Sequence, residues 1–489
     1  MRMTRERAVR CVLGLAALLT VIRCASVPVW YADSQYYLQA GRLFRQGTVT
    51  FAGNLVGDRH LSIAYYQVFQ SLFGPSADSV AIALSVAFGA TACLVTGLCF
   101  EVGAGIWRPT LVAAGLILIL ALNPIWNSML TDPLLLLILL VALAVLTWLP
   151  RTTSPIWSIA AIGVICGFGY GVRPETIIMF IAVVLTRLLV GGLSVPRWIG
   201  ESAIAVIAMT AGYAAQNVAW SLWVPAPKPD TYSAAFAFYL PMYYNAEPQD
   251  GPAVAALDRI EASAGMPLTT QYIGLFPVMA AGVRSNAVKD TDRLIARAGF
   301  ELLAAKPGRV LAMLLREGTT YLTRPKLGLE FDTDSWDARW QTMRERLRAL
   351  DKRREAVSAD FVNDAWWATE SVSDRHVPMV ARLRTWLPSW SAALSIPGLV
   401  LIIGILSAIV AVVRRQACSA PIVATGLFVV GAFVVTDFSQ GFAARYSEIW
   451  RFLSLVILGL TSLTWRSGAL TNHPGFGIID APHVKTWDA

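Results

Sequence analysis

Ten runs of mainly apolar residues decide what this chain can become. They fall at roughly 8–27, 79–100, 109–124, 132–149, 156–171, 175–190, 199–223, 391–413, 420–436 and 447–465. Crossing the hydrocarbon of a bilayer takes about 20 residues of helix. Inside it every backbone N–H and C=O must be satisfied internally, which leaves helices or closed barrels, and runs of this length read as helices. The chain has 489 residues, 56% hydrophobic and only 15% charged, against about 25% charged in soluble domains. The expected fold is therefore an all-α polytopic membrane protein. It has about ten transmembrane helices, interfacial helices in the first external loop and a large external helical insert. The third, fifth and sixth runs are short for a span and mismatch a bilayer most.

Charge sets the orientation. With the N-terminus in the cytoplasm, Arg2, Arg5, Arg7, Arg10, Arg108, Arg151, Arg187, Arg197, Arg414, Arg415 and Arg466 all fall on the cytoplasmic side, as the positive-inside rule requires. The net charge of +8 is thus accounted for by topology rather than by a nucleic-acid partner. The expected location is the plasma (inner) membrane, multi-pass, with both termini cytoplasmic. The start MRMTRERAVR followed by an apolar run imitates a signal peptide, but Arg23 stands directly before Cys24-Ala25-Ser26, which argues for a retained first span. All six cysteines lie in or at the ends of apolar segments, so the sequence offers neither a disulfide framework nor zinc-ligand spacing. Gly-rich phosphate cradles are absent, which argues against an ATP-driven pump.

The same orientation gathers Asp33, Asp58, Asp132, Arg173, Asp437 and Arg445 on the external face. Ionisable residues at membrane depth are costly and mark sites, so a polar chamber is expected there. Asp33 lies in YADSQYYLQAGRLFRQG (31–47). Two readings fit it: a carboxylate at the mouth of an active site, or an N-cap satisfying free N–H groups. Both can hold together. Downstream, GDRHLSIAYYQVFQSLFG (57–74) spaces Leu61, Ala64, Tyr65, Val68, Phe69 and Leu72 along one helical face, which fits a helix lying in the interface. Asp132 opens a span before Pro133 and fits either a site or a simple favourable charge at a helix N-terminus. In Arg173-Pro174-Glu175 the arginine either pairs with Glu175 or points into the chamber at an anion. His60 and His376 each follow Asp-Arg. Two isolated histidines read as surface residues, with His60 the better candidate because it shares a loop with Asp33.

Four domains are expected. Residues 1–224 form an N-terminal transmembrane module with the catalytic first external loop, and 225–390 an external helical insert. Residues 391–466 carry the C-terminal transmembrane helices and 467–489 a cytoplasmic tail. The insert holds 21 of the 40 Lys/Arg and 20 of the 32 Asp/Glu, so it is solvated and nearly neutral. FYLPMYYN (238–245) is an aromatic loop that either closes over a substrate or rests on the membrane. Residues 291–324 read as two amphipathic helices meeting at Pro307. Residues 337–362 read as a charged solvent-facing helix, and Trp366, Trp367, Trp386 and Trp390 as an interfacial belt. Asp332-Thr333-Asp334 matches a short metal-holding pattern of nucleotide-sugar enzymes, but such tripeptides arise often by chance.

In order, these pieces resemble the integral-membrane C-type (GT-C) glycosyltransferases, such as the dolichyl-phosphate-mannose protein mannosyltransferases and the lipid A aminoarabinose transferases. ADSQYYLQAGRLFRQG matches their acidic motif followed by a Tyr and a short basic helix, with Asp33 in the acidic position; Ser34 stands where many members carry a second acid. YYQVFQSLFG, TDPLLLLILL, the Arg-Pro-Glu turn, AAKPGRVLAMLL and the late Arg445-Tyr446 also correspond. The likeness covers the first 200 residues well and the remainder loosely.

The resemblance implies a polyprenyl-phosphate-sugar-dependent glycosyltransferase (hexosyl or pentosyl). It would move the sugar by inverting displacement to an acceptor hydroxyl on the outer face. Asp33 would act as general base and Asp132 would orient the acceptor or a partner Arg. Tyr36, His60, Arg173 and Arg445 would bind substrate, the arginines facing the phosphate. The partners implied are membrane lipid, the lipid-linked donor and a glycolipid, polysaccharide or protein acceptor. No cofactor is implied, and divalent-metal dependence is open. The alternatives are a transporter or flippase of a lipid-linked substrate, which predicts internal repeats that the sequence lacks, and a non-catalytic membrane scaffold.

Overall fold

The computed structural model describes residues 3–26, 28, 59–74, 76–127, 131–148, 155–190, 195–223, 230–263, 275–323, 377–387, 396–413, 419–440 and 444–464. Among them the regular elements are helices. In the first half these are α1 (Arg5–Cys24), α2 (His60–Phe73), α3 (Ala77–Val102), α4 (Trp107–Leu122), α5 (Asp132–Trp148), α6 (Pro155–Gly169), α7 (Thr176–Val190) and α8 (Val195–Trp223). The insert contributes α9 (Ser233–Ala237), α10 (Tyr239–Asn245), α11 (Pro252–Ser263), α12 (Leu275–Arg284), α13 (Val288–Ala305), α14 (Pro307–Thr323) and α15 (Pro378–Trp386). The chain closes with α16 (Leu399–Val413), α17 (Ser419–Gln440) and α18 (Ala444–Thr464). A helix occupies each of the ten apolar runs.

Large apolar residues are exposed along many helices as well as buried in the core. On α2 the buried residues include His60, Ser62 and Gln67, while Val68 and Leu72 are 48% and 69% exposed. The far end of the apolar stripe thus faces outward, while Leu61, Tyr65 and Phe69 rest against the core beside buried Ile63 and Tyr66. Along α8 the most apolar window is only 11% buried, with Ile199, Ile207, Val218 and Leu222 all exposed. Contiguous apolar surface of this extent is foreign to a water-facing monomer, and a bilayer is the solvent that covers it. The fold is an all-α polytopic membrane bundle.

Helix α3 is the axis of that bundle, with its most apolar window 67% buried. It packs against α1, α2, α4, α5 and α18. Ser76 caps its start by accepting from the Ser79 N–H at 3.3 Å. Helix α8 instead rides almost wholly on α6, and there the backbones nearly touch. A Cβ at Gly163 would stand 2.6 Å from the Ala205 carbonyl oxygen, and one at Gly167 would collide with the Met209 carbonyl. From the other side, Gly212 presses on Val164. Gly163 and Gly167 form the small-xxx-small spacing by which helices approach closely in lipid.

The end of the bundle where α5 begins carries the polar junctions. Buried Arg23 donates to the Ala121 carbonyl at 2.6 Å and lies 5.4 Å over the Phe88 ring. Arg451, 1% exposed, donates to the Ile396 carbonyl at 2.8 Å and so joins α18 to the chain entering α16. Helix α15 is fastened at the same end. Arg384 pairs with Asp78 at 2.6 Å and donates to the carbonyls of Ala25 and Ser26 at 3.1 and 3.3 Å.

Within the insert, Tyr232, Met242, Val254, Leu257, Ile295, Ala298 and Leu302 are buried together. Helix starts are satisfied by distant carboxylates. Asp292 accepts from the Ala234 and Ala235 N–H groups at 2.9 and 3.2 Å, and Glu301 from Ala253 at 2.7 Å. Burial raises the Asp292 carboxyl above its usual range, against the pull of those N–H donors. Residues 239–245 form helix α10 rather than the expected loop, because Phe238 seats against Gly299 and Phe300 and Met242 is fully buried. Helices α13 and α14 meet at Lys306-Pro307 as the sequence suggests.

Candidate functional site

The site begins from a turn. After α6 ends at Gly169, the chain folds back through residues 170–175 with the Val172 and Arg173 N–H groups donating to the Gly169 carbonyl at 2.8 and 3.0 Å. Thr176 Oγ1 then donates to the carbonyls of Cys166 and Arg173. This stapling fixes the Arg173 side chain between two carboxylates. Its guanidinium donates to Asp132 Oδ1 at 2.7 Å and also pairs with Glu175. Arg173 and Asp132 are 1% and 2% exposed. Asp132 starts α5, where negative charge is favoured, and it also clamps the arginine.

Helix α2 docks on the same turn. The Leu61 N–H donates to the Gly171 carbonyl at 2.9 Å and Ser62 Oγ to the Val172 carbonyl at 3.2 Å. This draws His60 into the interior at 0% exposure, its ring edge-on to Trp220 of α8 with centroids 5.0 Å apart. His60 is thus not the surface residue that an isolated histidine suggests. Arg59, one residue earlier and 8% exposed, lies within electrostatic reach of Glu175. Two arginines face two carboxylates here, so the cluster is balanced in charge despite its burial.

Gln216 completes the group from α8, one helical turn before Trp220. A Cβ on Gly171 would collide with its Oε1 and would stand 2.9 Å from His60 Cε1 and Leu61 Cγ. Glycine at 171 is therefore what lets α2, α8 and the turn converge. Sequence reasoning missed Gln216, Arg59, Trp220 and Arg451. The available signal was a polar residue inside an apolar run for Gln216 and Arg451, which alone does not separate a site from a packing contact.

The remaining predicted residues lie apart from this description. Asp33, Tyr36, Asp58, Asp332-Thr333-Asp334, residues 337–362, Trp366, Trp367, His376, Trp390, Cys418 and the tail after Arg466 fall outside the described residues. Arg445 and Asp437 belong to α18 and α17, but their side chains are also outside the description. Trp386 ends α15 at 85% exposure. Among the described residues no three His, Cys, Asp or Glu side chains gather as a metal ion would need.

Chemically, a guanidinium held by two carboxylates is a preoriented donor. Buried ion pairs survive only with tight geometry and further hydrogen bonds, and the four elements meeting here supply both. No protein-family model matches the chain, and no curated protein matches it either. Among solved structures, the crystal structure of ArnT from Cupriavidus metallidurans bound to undecaprenyl phosphate is similar over 90% of this chain and 77% of that one, at 15% identity and a TM-score of 0.35. The function is argued from the residues alone.

Proposed function

We propose that the protein is a membrane glycosyltransferase that moves a sugar from a polyprenyl-phosphate donor to an acceptor hydroxyl at the outer face. The observation that carries this reading is the convergence of Asp132, Arg173, Glu175 and His60 on one buried patch at one end of an apolar bundle. That patch lies next in sequence to the loop bearing Asp33.

An acceptor hydroxyl is a poor nucleophile, so a carboxylate that takes its proton as the bond to the anomeric carbon forms contributes about 10²–10⁴-fold. Asp33 is assigned this role. The departing group is a phosphate oxygen, and donors fixed before the reaction stabilise its developing charge best. Arg173, held by Asp132 and Glu175, is assigned to that oxygen together with Arg445 from α18. Asp132 then acts as a positioning residue. His60 and Tyr36 complete the headgroup surround, and no metal enters this reading. The acceptor is a glycolipid, polysaccharide or protein.

The test is transfer of labelled sugar from an undecaprenyl-phosphate-linked donor by the purified protein in lipid nanodiscs with an envelope-lipid acceptor fraction. Asp33→Asn should melt as the parent does and transfer nothing. Near-parental transfer by that variant removes Asp33 as base, and absence of transfer by the parent with every donor and acceptor tried removes the enzymatic reading.

A further inference from the structure

Gln216 is 0% exposed, and neither its carboxamide nitrogen nor its oxygen has a hydrogen-bond partner among the described residues. A buried polar group left unsatisfied is destabilising, and helix α8 is otherwise rich in apolar residues that would occupy the position at no such cost. The carboxamide packs directly on Gly171, where any Cβ would strike Oε1. The carboxamide offers two donors and an acceptor with two lone pairs, and it carries no charge. Its natural complement is a pair of neighbouring hydroxyls rather than a phosphate. One turn along α8 the Trp220 indole stands beside His60. An aromatic body next to a neutral amide suits a sugar ring, which has an apolar face and a hydroxylated rim.

The placement separates two tasks. Arg173, two residues beyond Gly171, is charged and clamped by carboxylates. Gln216 meets the same turn at Gly171 and is neutral. We propose that Gln216 is a specificity-determining residue that reads hydroxyls of the sugar on the lipid-linked donor, beside the arginine that faces its phosphate. This rests on the glycosyltransferase reading above and adds to it which group selects the sugar.

The experiment uses the full-length protein in nanodiscs and measures binding of undecaprenyl phosphate, bare and carrying glucose, mannose or 4-amino-4-deoxyarabinose. The parent should bind one sugar-bearing lipid about tenfold more tightly than the bare lipid, the worth of one net hydrogen bond. Gln216→Met should bind the bare lipid as the parent does, lose that tenfold preference, and melt no lower without ligand because an unsatisfied group has gone. Should the Met variant fail to fold, Gln216→Asn keeps the amide but withdraws it by one methylene, and it should shrink the preference. Full retention of the preference in either variant, or a parent that prefers no sugar over the bare lipid, overturns the assignment of Gln216. A parent that does not bind even the bare lipid overturns the donor reading of the whole site, a result distinct from both.

Discussion

Two cations in this molecule are each clamped by two carboxylates, in opposite surroundings. In the bundle, Arg173 lies between Asp132 and Glu175 with 1% exposure. In the insert, Lys306, 14% exposed, lies between Asp250 at 2.9 Å, 3% exposed, and Glu247 at 2.6 Å, which at 40% exposure opens the clamp to solvent on one side. Lys306 also donates to the Asn245 carbonyl at 3.1 Å, so it ties α10 to the junction of α13 and α14. The chemistry is alike, but the dielectric is not. Coulomb attraction and desolvation both grow as water is removed. The buried clamp is therefore strong when whole and severe when broken, whereas solvent softens both extremes at Lys306. The difference teaches that position, not pair count, decides what a charge does here.

The largest effect is expected at the buried clamp. Arg173→Met strands two carboxylates and should cost about 3–5 kcal/mol, read as loss of thermal stability in nanodiscs. Adding Asp132→Asn should return part of that loss; strict additivity of the two changes would show that the pair is not coupled. Next comes the glycine contact that lets α6 and α8 meet. Gly167→Ala should cost about 1–3 kcal/mol through overpacking, since its Cβ would meet the Met209 backbone, whereas Gly115→Ala, inside α4 with nothing within 4 Å, should raise stability by up to about 1 kcal/mol in the same assay.

The Lys306 clamp should show itself in pH dependence. Hydrogen bonding and charge from Lys306 hold Glu247 below its ordinary 4.5, so its contribution is present above that value and is lost as pH falls through the lowered one. Burial pulls Lys306 down, but Glu247 and Asp250 outweigh it and hold the ammonium above its ordinary 10.5. Its contribution is therefore full below 10.5 and lost as pH rises further. Protease resistance of the insert should be flat between these limits and fall below 4.5, and Lys306→Met should lower the plateau and flatten the acid limb. An unchanged acid limb in the variant would mean that other carboxylates govern it. The smallest effect is expected at the exposed pair Arg293–Asp290, 3.4 Å apart and 79% and 80% exposed. There Arg293→Ala should shift stability by no more than about 0.5 kcal/mol.

Much of the fold was legible because its rule is local. A span must be apolar over its own length, so hydropathy located all ten runs without knowledge of neighbours. The pairing of Arg173 with Glu175 was legible for the same reason, being two residues apart. Which arginine Asp132 meets was not, because 41 residues separate it from Arg173 and only the packing of α5 against the turn brings them together. On α2 the sequence revealed an apolar stripe but not its direction. In water that stripe would face the core, whereas here its Val68 and Leu72 face out and His60, Ser62, Ile63, Tyr66 and Gln67 meet the protein.

The sequence by itself determined that the chain is a helical membrane protein, since hydrocarbon thickness and backbone hydrogen bonding leave little choice. Only the tertiary structure decided which charges touch. It placed Asp132, Arg173, His60 and Gln216 around Gly171, because close approach depends on the shapes of several helices at once and no single run of residues encodes it.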